Sequence, residues 1–196
     1  MSHVLTYPRS AYREDHEMLR ETARRFIERE CVPRQAQWDK DGQVDRETWL
    51  KAGREGLLCT GMDPKWGGAG GDFGHAAVII EELSYAGISG FGIGLHSDVV
   101  APYIERLGTE AQKQQWLPRC ATGEVILAIA MSEPGAGSDL KAIRPTARRD
   151  GDDYVINGQK MWITNATQAD FFCLLANTGN SDRHRNKSLI IVPTNT

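Results

Sequence analysis

No stretch of the 196 residues approaches the roughly twenty consecutive apolar residues that a membrane-spanning helix requires. The first eighteen residues carry Arg9, Arg13, Glu14, Asp15 and Glu17 and lack the apolar centre of a secretion signal. Cysteine is sparse: Cys31, Cys59, Cys120 and Cys173 lie far apart with no C-x-x-C pair, a spacing that fits neither a zinc site nor a dense disulfide framework. The expected state is four reduced thiols in a cytoplasmic protein. Charge of one sign is also missing as a block. The net charge is −3, with acids and bases interleaved, so nothing marks a nucleic-acid surface or an acidic tail. The histidines His3, His16, His75, His96 and His184 show no metal-ligand spacing, and His75 and His96 are expected at the surface or in caps. Gly90-Phe91-Gly92-Ile93-Gly94 lacks the third glycine of a dinucleotide fingerprint and follows a helix, so it reads as an inter-helix loop. There is no internal repeat and no low-complexity tract.

What is present is an ordinary apolar fraction of 40%, enough for a normal core. Leu19, Ala23, Phe26, Ile27 and Cys31 fall at helical spacing within 11–31, and Pro33 should end or bend that helix. Asp45 is placed to cap a second helix carrying Trp49, Ala52 and Leu57. Pro64–Gly71 must be loop. A third helix is predicted over Phe73–Tyr85, its apolar set covering a wide, buried arc. A fourth spans about His96 to Leu107, with Gly108 to stop it. Thr109 and Gln112 form a capping box for a fifth, which includes Trp116 and ends near Pro118.

The character changes near Gly123. Val125–Met131 suits a buried strand, and Thr146–Arg149 and Asp153–Ile156 flank a turn at Asp150-Gly151. Asn157-Gly158 signals a tight turn leading into a further strand, Lys160–Thr164. Phe171–Ala176 and Leu189–Val192 complete the set, with Thr178–Lys187 as a polar hairpin loop. Helices followed by strands indicate an α+β fold: an all-helical domain over 1–122, then an incomplete antiparallel β-barrel-like domain over 123–196.

Two segments could carry chemistry. Met131-Ser132-Glu133-Pro134-Gly135-Ala136-Gly137-Ser138-Asp139 leaves a strand with closely spaced glycines and two hydroxyls, a pattern that admits a bound polar group and equally describes a plain turn. In Asn157–Asn165, a strand would put Trp162 and Thr164 on one face, as a wall for a flat ring or as ordinary hairpin residues.

Taken together, the segments resemble the acyl-CoA dehydrogenase family. Ser132–Asp139 matches its T/S-E-P-x-A-G-S-D signature, Lys160–Asn165 its K-x-W-I-T-N signature, and Pro64–Gly71 its P-x-x-x-G-G loop. The likeness covers nearly the whole chain, and Met131–Pro134 with the Trp38-Asp39 region leans toward long-chain and bacterial branches. The resemblance implies FAD as cofactor and conversion of an acyl-CoA thioester to its trans-2-enoyl form. It implies that Ile129, Ala130, Met131, Ser132, Glu133, Pro134, Gly135, Ala136, Gly137 and Ser138 line the flavin, with Ser132 on the pyrimidine side of the ring. Ser138 would also meet the acyl-CoA, and Trp162, Ile163 and Thr164 would pack on the ring, Thr164 near N5. Serine stands where relatives often have threonine, and isoleucine stands at 129 where some have an aromatic. The resemblance further implies an electron-transfer-flavoprotein-like acceptor, a homo-oligomer, and a glutamate base from a carboxy-terminal helical domain that these residues do not include. Glu133 reads as a structural acceptor, not as that base. Hence the chain is expected to be a fragment, inactive alone. The alternatives are a non-catalytic flavin or acyl-CoA binding module, half of a split enzyme, or an oxidase or monooxygenase on the same scaffold.

Overall fold

The computed structural model describes residues 11–179, 182 and 185–195. The start of the chain read against a secretion signal, His3, His184 and parts of the polar loop near residue 182 lie outside these residues.

Among the described residues, six α-helices precede five strands. They are α1 Glu14–Phe26, α2 Gln35–Asp41, α3 Arg46–Arg54, α4 Phe73–Tyr85, α5 Ala101–Leu107 and α6 Glu110–Ala121. The strands are β1 Leu127–Ala130, β2 Thr146–Asp150, β3 Asp153–Asn157, β4 Phe171–Asn177 and β5 Lys187–Pro193. Helix α1 opens on Glu14, Asp15 and Glu17 and closes on Arg24 and Arg25, charges that complement its dipole. It runs into a π-helical turn, Ile27–Cys31, before the chain bends at Pro33. The short α2 beyond was not anticipated, because its residues QAQWDKD bury only Trp38 and offer no apolar stripe. Asp45 caps α3 by accepting from the Thr48 N–H, and α4 keeps its predicted bounds. Its apolar arc is less fully buried than expected, since Phe73, Ile80 and Tyr85 face outward. The fourth predicted helix divides into a π-helical turn, Leu95–Val100, and α5. The Thr109–Gln112 capping box starts α6. That helix does not stop at Pro118 but continues to Ala121: burial of Leu117, Cys120 and Ala121 offsets the one backbone bond a proline forgoes.

The sheet is mixed, not wholly antiparallel. Strand β4 takes β5 antiparallel along all seven residues, while β1 runs parallel to its first four residues. Strand β2 joins β4 in parallel only at Thr146–Asn177 and forms a hairpin with β3. The predicted strand Lys160–Thr164 does not form. Trp162 and Asn165 sit at φ 59° and 66°, left-handed values that a strand cannot contain.

Two cores meet at β1. Ile126 joins Phe26, Trp49, Leu57, Val78 and Phe91, whereas Val125 and Leu127 join Val100, Ile104, Leu117, Phe171 and Cys173. Trp49 is wholly buried, with its ring edge-on to Phe91 at a centroid distance of 4.8 Å. Helices α1 and α4 are tied by Glu82, which accepts from Arg20 and Arg24. Their starts are tied by Asp72, whose Oδ1 takes the Nε2–H of His16 at 2.8 Å. Asp15, His16 and His75 approach one another there. Both His16 nitrogens are engaged, however, because Nδ1 accepts from the Arg13 N–H, and His75 Nδ1 lies within reach of the Asp72 N–H. The cluster is a joint cap of two helices. All four cysteines are buried free thiols. Among the described residues, no helix is long and apolar enough to cross a membrane.

His96 departs from expectation: it is fully buried. Its Nδ1 accepts from the Leu127 N–H at 3.2 Å, so its proton lies on Nε2, which donates to the Cys120 carbonyl at 3.1 Å. Burial pushes its pKa down to about 4 from an ordinary 6.5. Unfolded chain therefore binds a proton in this interval that folded chain refuses. The contribution is complete above about pH 6.5 and is lost as pH falls toward 4, on the order of 3 kcal/mol. Asp98, its carboxyl pushed up to about 6 by burial, acts in the opposite sense over the same interval, so the His96 contribution is read as a difference between proteins. The urea midpoint of this chain relative to His96→Gln, which can still accept and donate, should fall across that window, and His96→Ala should cost about 2–4 kcal/mol at pH 7.5.

Candidate functional site

The end of β1 delivers the chain into the serine-bearing turn. Ile129 packs against the second core and Ala130 is buried, so neither side chain reaches solvent freely. At Glu133 and Ala136 the backbone closes on itself, with Glu133 N–H to Ala136 O at 2.8 Å and the return bond at 3.3 Å. Gly135 and Gly137 stand exposed. Neither has positive φ, and a Cβ at either would meet nothing within 4 Å. Nothing inside the chain therefore demands glycine at these two places. The open space at both leaves room for a group from outside to approach the backbone closely.

The second segment adjoins the first. The Met161 N–H donates to the Ser132 carbonyl at 2.9 Å, and Lys160 Nζ reaches the Met131 carbonyl at 2.9 Å and Glu133 Oε1 at 2.8 Å. Glu133 Oε2 accepts from the Arg144 N–H at 3.0 Å. Both oxygens of that carboxylate are thus in use, and its backbone is bonded within the turn. Its part in the wall is support.

Beyond Lys160 the chain turns outward. Trp162 is 87% exposed while held at φ 59°, an aromatic presented at a backbone cost of about 1–2 kcal/mol. Among the described residues, the hydroxyls of Ser132, Ser138 and Thr164 make no hydrogen bond. Asn165 closes the segment from beneath: buried at φ 66°, its amide donates to the carbonyls of Gly92 at 3.2 Å and Leu127 at 3.1 Å. Space there is tight. A Cβ on Gly92 would stand 2.4 Å from Asn165 Oδ1 and 2.9 Å from Thr164 Cγ2.

The structure thus brings Met131–Ser138 beside Lys160–Thr164 and leaves Ser132, Gly135, Gly137, Ser138, Trp162 and Thr164 accessible to differing degrees. Lys160, Asn165 and Gly92 went without a role in the sequence reading. The first two bound the very motif that was recognised, and Gly92 belongs to the glycine run read as loop. A cleft of about 400 Å³ between α5 and strands β4 and β5, lined by Tyr103, Leu107, Tyr154 and Ile191, shares no residue with this wall.

Known proteins resemble the chain along nearly its whole length. A family model described as acyl-CoA dehydrogenase, N-terminal domain, matches residues 13–124, and one described as acyl-CoA dehydrogenase, middle domain, matches 128–196. The mitochondrial long-chain specific acyl-CoA dehydrogenase of Sus scrofa is 43% identical over 175 residues, which make up 89% of this chain and 41% of that protein. The crystal structure of an acyl-CoA dehydrogenase from Geobacillus kaustophilus superposes with a TM-score of 0.91 at 48% identity, covering 95% of this chain and 50% of that one. A glutaryl-CoA dehydrogenase from Mycobacterium smegmatis, solved in complex with FADH2, gives a TM-score of 0.85 at 31% identity over 94% of this chain and 47% of its own. The chain therefore spans about half or less of the length of these relatives.

The strained, exposed tryptophan yields a signed prediction. Trp162→Gly should raise the stability of the ligand-free chain by about 0.5–1 kcal/mol, because glycine relieves the left-handed backbone while little buried surface is lost. Gly92→Ala should lower it by about 2 kcal/mol or more by driving Asn165 from its two carbonyls. Chemical denaturation of the three proteins side by side checks both signs.

Proposed function

The chain belongs to the acyl-CoA dehydrogenase family, and from that membership we propose that its wall of Ser132–Ser138 and Trp162–Thr164 holds FAD for the α,β-dehydrogenation of an acyl-CoA thioester. The observation that carries the reading is the pair of exposed glycines flanking Ala136 beside an outward-held Trp162, a cradle and an aromatic surface that the chain's own packing does not use.

In this reading bound FAD would supply the acceptor for the hydride leaving the β-carbon. The chain's residues bind and orient. The amides around Gly135 and Gly137 approach polar edges of the ligand, the Ser132 hydroxyl bonds the pyrimidine side, Trp162 covers an aromatic face, and Thr164 offers its hydroxyl to the ring's reactive edge. Ser138 would stand near the thioester end and would help hold the reacting carbons close to the ring. The α-proton goes to a carboxylate outside this chain, on the family's carboxy-terminal helical half, because the carboxylate within the wall, Glu133, is fully engaged. The same half would cover the outward apolar residues Ile80, Val99, Tyr103 and Leu107. The division into a helical domain over 1–122 and a strand domain over 123–196, assembly into a homo-oligomer, and an electron-transfer-flavoprotein-like acceptor belong to the same proposal. A cytoplasmic location accords with four free thiols. The lean toward longer acyl groups rests on the likeness to the long-chain relatives.

Titrating FAD into the 196-residue chain and following flavin fluorescence should show weak, saturable binding, lowered about tenfold or more in Trp162→Gly although that variant is the more stable one. Equal affinity in the variant would remove Trp162 from the site. No acyl-CoA-dependent dye reduction is expected from the chain alone, and addition of a separately produced carboxy-terminal half should restore it. Turnover by the isolated chain would contradict the placement of the base.

A further inference from the structure

We infer that Lys160 is a positioning residue, which clamps the two flavin-facing segments into one surface through the Met131 carbonyl and the Glu133 carboxylate. This rests on the reading of the wall given above and adds a device to it. Lys160 and Glu133 are 9% and 5% exposed at their side chains and 27 positions apart in sequence, and neither lies in a strand. The sheet therefore does not fix where Lys160–Thr164 sits relative to Ser132–Ser138. Among the described residues, apart from the single Met161–Ser132 backbone bond, the two bonds from Lys160 Nζ, to Met131 and Glu133, are the hydrogen bonds that join Lys160–Thr164 to Met131–Ser138.

An ion pair this deep is a poor way to gain stability, since withdrawing both charges from water offsets most of their attraction. What it supplies is direction. The ammonium donates at once to a backbone carbonyl at the end of β1 and to a carboxylate at the turn, so Lys160 can occupy only one place relative to both. Glu133 extends the constraint through Oε2 to the Arg144 N–H beyond the turn. Three separate stretches, 131–133, 144 and 160–161, are thereby fixed by one cation and one anion. An apolar pair of similar volume could fill the space yet would leave the Met131 carbonyl and the Arg144 N–H without partners. Two neighbours show that the segment needs holding. Trp162 and Asn165 both sit in left-handed backbone, a strained arrangement that persists only when its surroundings over-determine it. Asn165 anchors the far end of this strained run and Lys160 the near end.

The test compares the 196-residue chain with Lys160→Met, Lys160→Arg and Glu133→Gln by amide hydrogen exchange, with FAD titration as a second arm. In Lys160→Met the amides of Met161 and Ala136 should exchange about tenfold faster or more, while those of α1 and α4 stay protected as in the parent. Lys160→Arg, whose guanidinium can donate to both acceptors, should restore most of the protection, which mere filling of space would not explain. FAD affinity should follow the same order. Unchanged exchange at Met161 and Ala136 in a folded Lys160→Met chain would overturn the inference. If that variant does not fold, Glu133→Gln decides the matter, since its amide cannot accept from both Lys160 and Arg144: faster exchange at the same amides supports the clamp, and unchanged exchange ends it. Should the parent chain bind no FAD, the cofactor reading fails, and the exchange arm still rules on the clamp by itself.

Discussion

Strand β1 and the two residues that lead into it, Val125 and Ile126, are buried between two cores, and the polar backbone of this entry must be satisfied without water. Around that necessity the rest of the molecule is arranged. Parallel pairing with β4 supplies only part of what is needed. The Val125 N–H goes to the Arg119 carbonyl, the Ile126 N–H to Asp170 Oδ2 at 2.6 Å, the Leu127 N–H to His96 Nδ1, and the Leu127 carbonyl accepts from Asn165. Each partner comes from a different place: a helix end, the residue before β4, a π-helical turn, and the loop after the tryptophan. Asp170 is itself gripped by both arms of the Arg46 guanidinium at the start of α3. A strand supplied in this way cannot slip by a residue without stranding several buried groups.

The rigidity of β1 passes directly to the surface that follows it. The Met131 carbonyl, one residue past the strand, is the acceptor of Lys160, and the Leu127 carbonyl inside the strand is an acceptor of Asn165. Both ends of the Trp162 segment thus take their position from the same strand. Strained backbone between two fixed ends can hold an aromatic ring in solvent, where a free loop would fold the ring back. Gly92 completes the arrangement from the helical side, since any side chain there would collide with Asn165. Helical part and strand part meet at the site because that is where the buried strand emerges.

Much of this was legible in the residues, for reasons that can be named. Helix α4 kept its bounds and α6 its start because both begin at capping residues with local geometry, Asp72 and Thr109. The two motifs were recognisable as local strings, and their adjacency followed from the family likeness. Features determined by distant partners were not legible. His96 reads as a surface or cap residue until its acceptor role toward Leu127, 31 positions away, is seen. Lys160–Thr164 alternates suitably for a strand, but Trp162 and Asn165 take left-handed backbone between the bonds of Lys160 at one end and those of Asn165 to Gly92 and Leu127 at the other. Helix α2 has too few apolar residues to announce itself, and Pro118 reads as a stop only if the burial beyond it is ignored.

The same accounting of partners decides what kind of chemistry this surface can perform. A carboxylate that is to take a proton from carbon needs a free lone pair aimed at the substrate. Glu133 directs one oxygen at Lys160 and the other at Arg144, so neither is free for a substrate. Its buried carboxylate therefore serves geometry. The accessible groups are hydroxyls, glycine backbone and an indole, which bind and orient but do not abstract protons at carbon. Such a surface is equipped to hold a ligand in a fixed pose, and proton transfer at carbon would require a carboxylate that these groups do not provide.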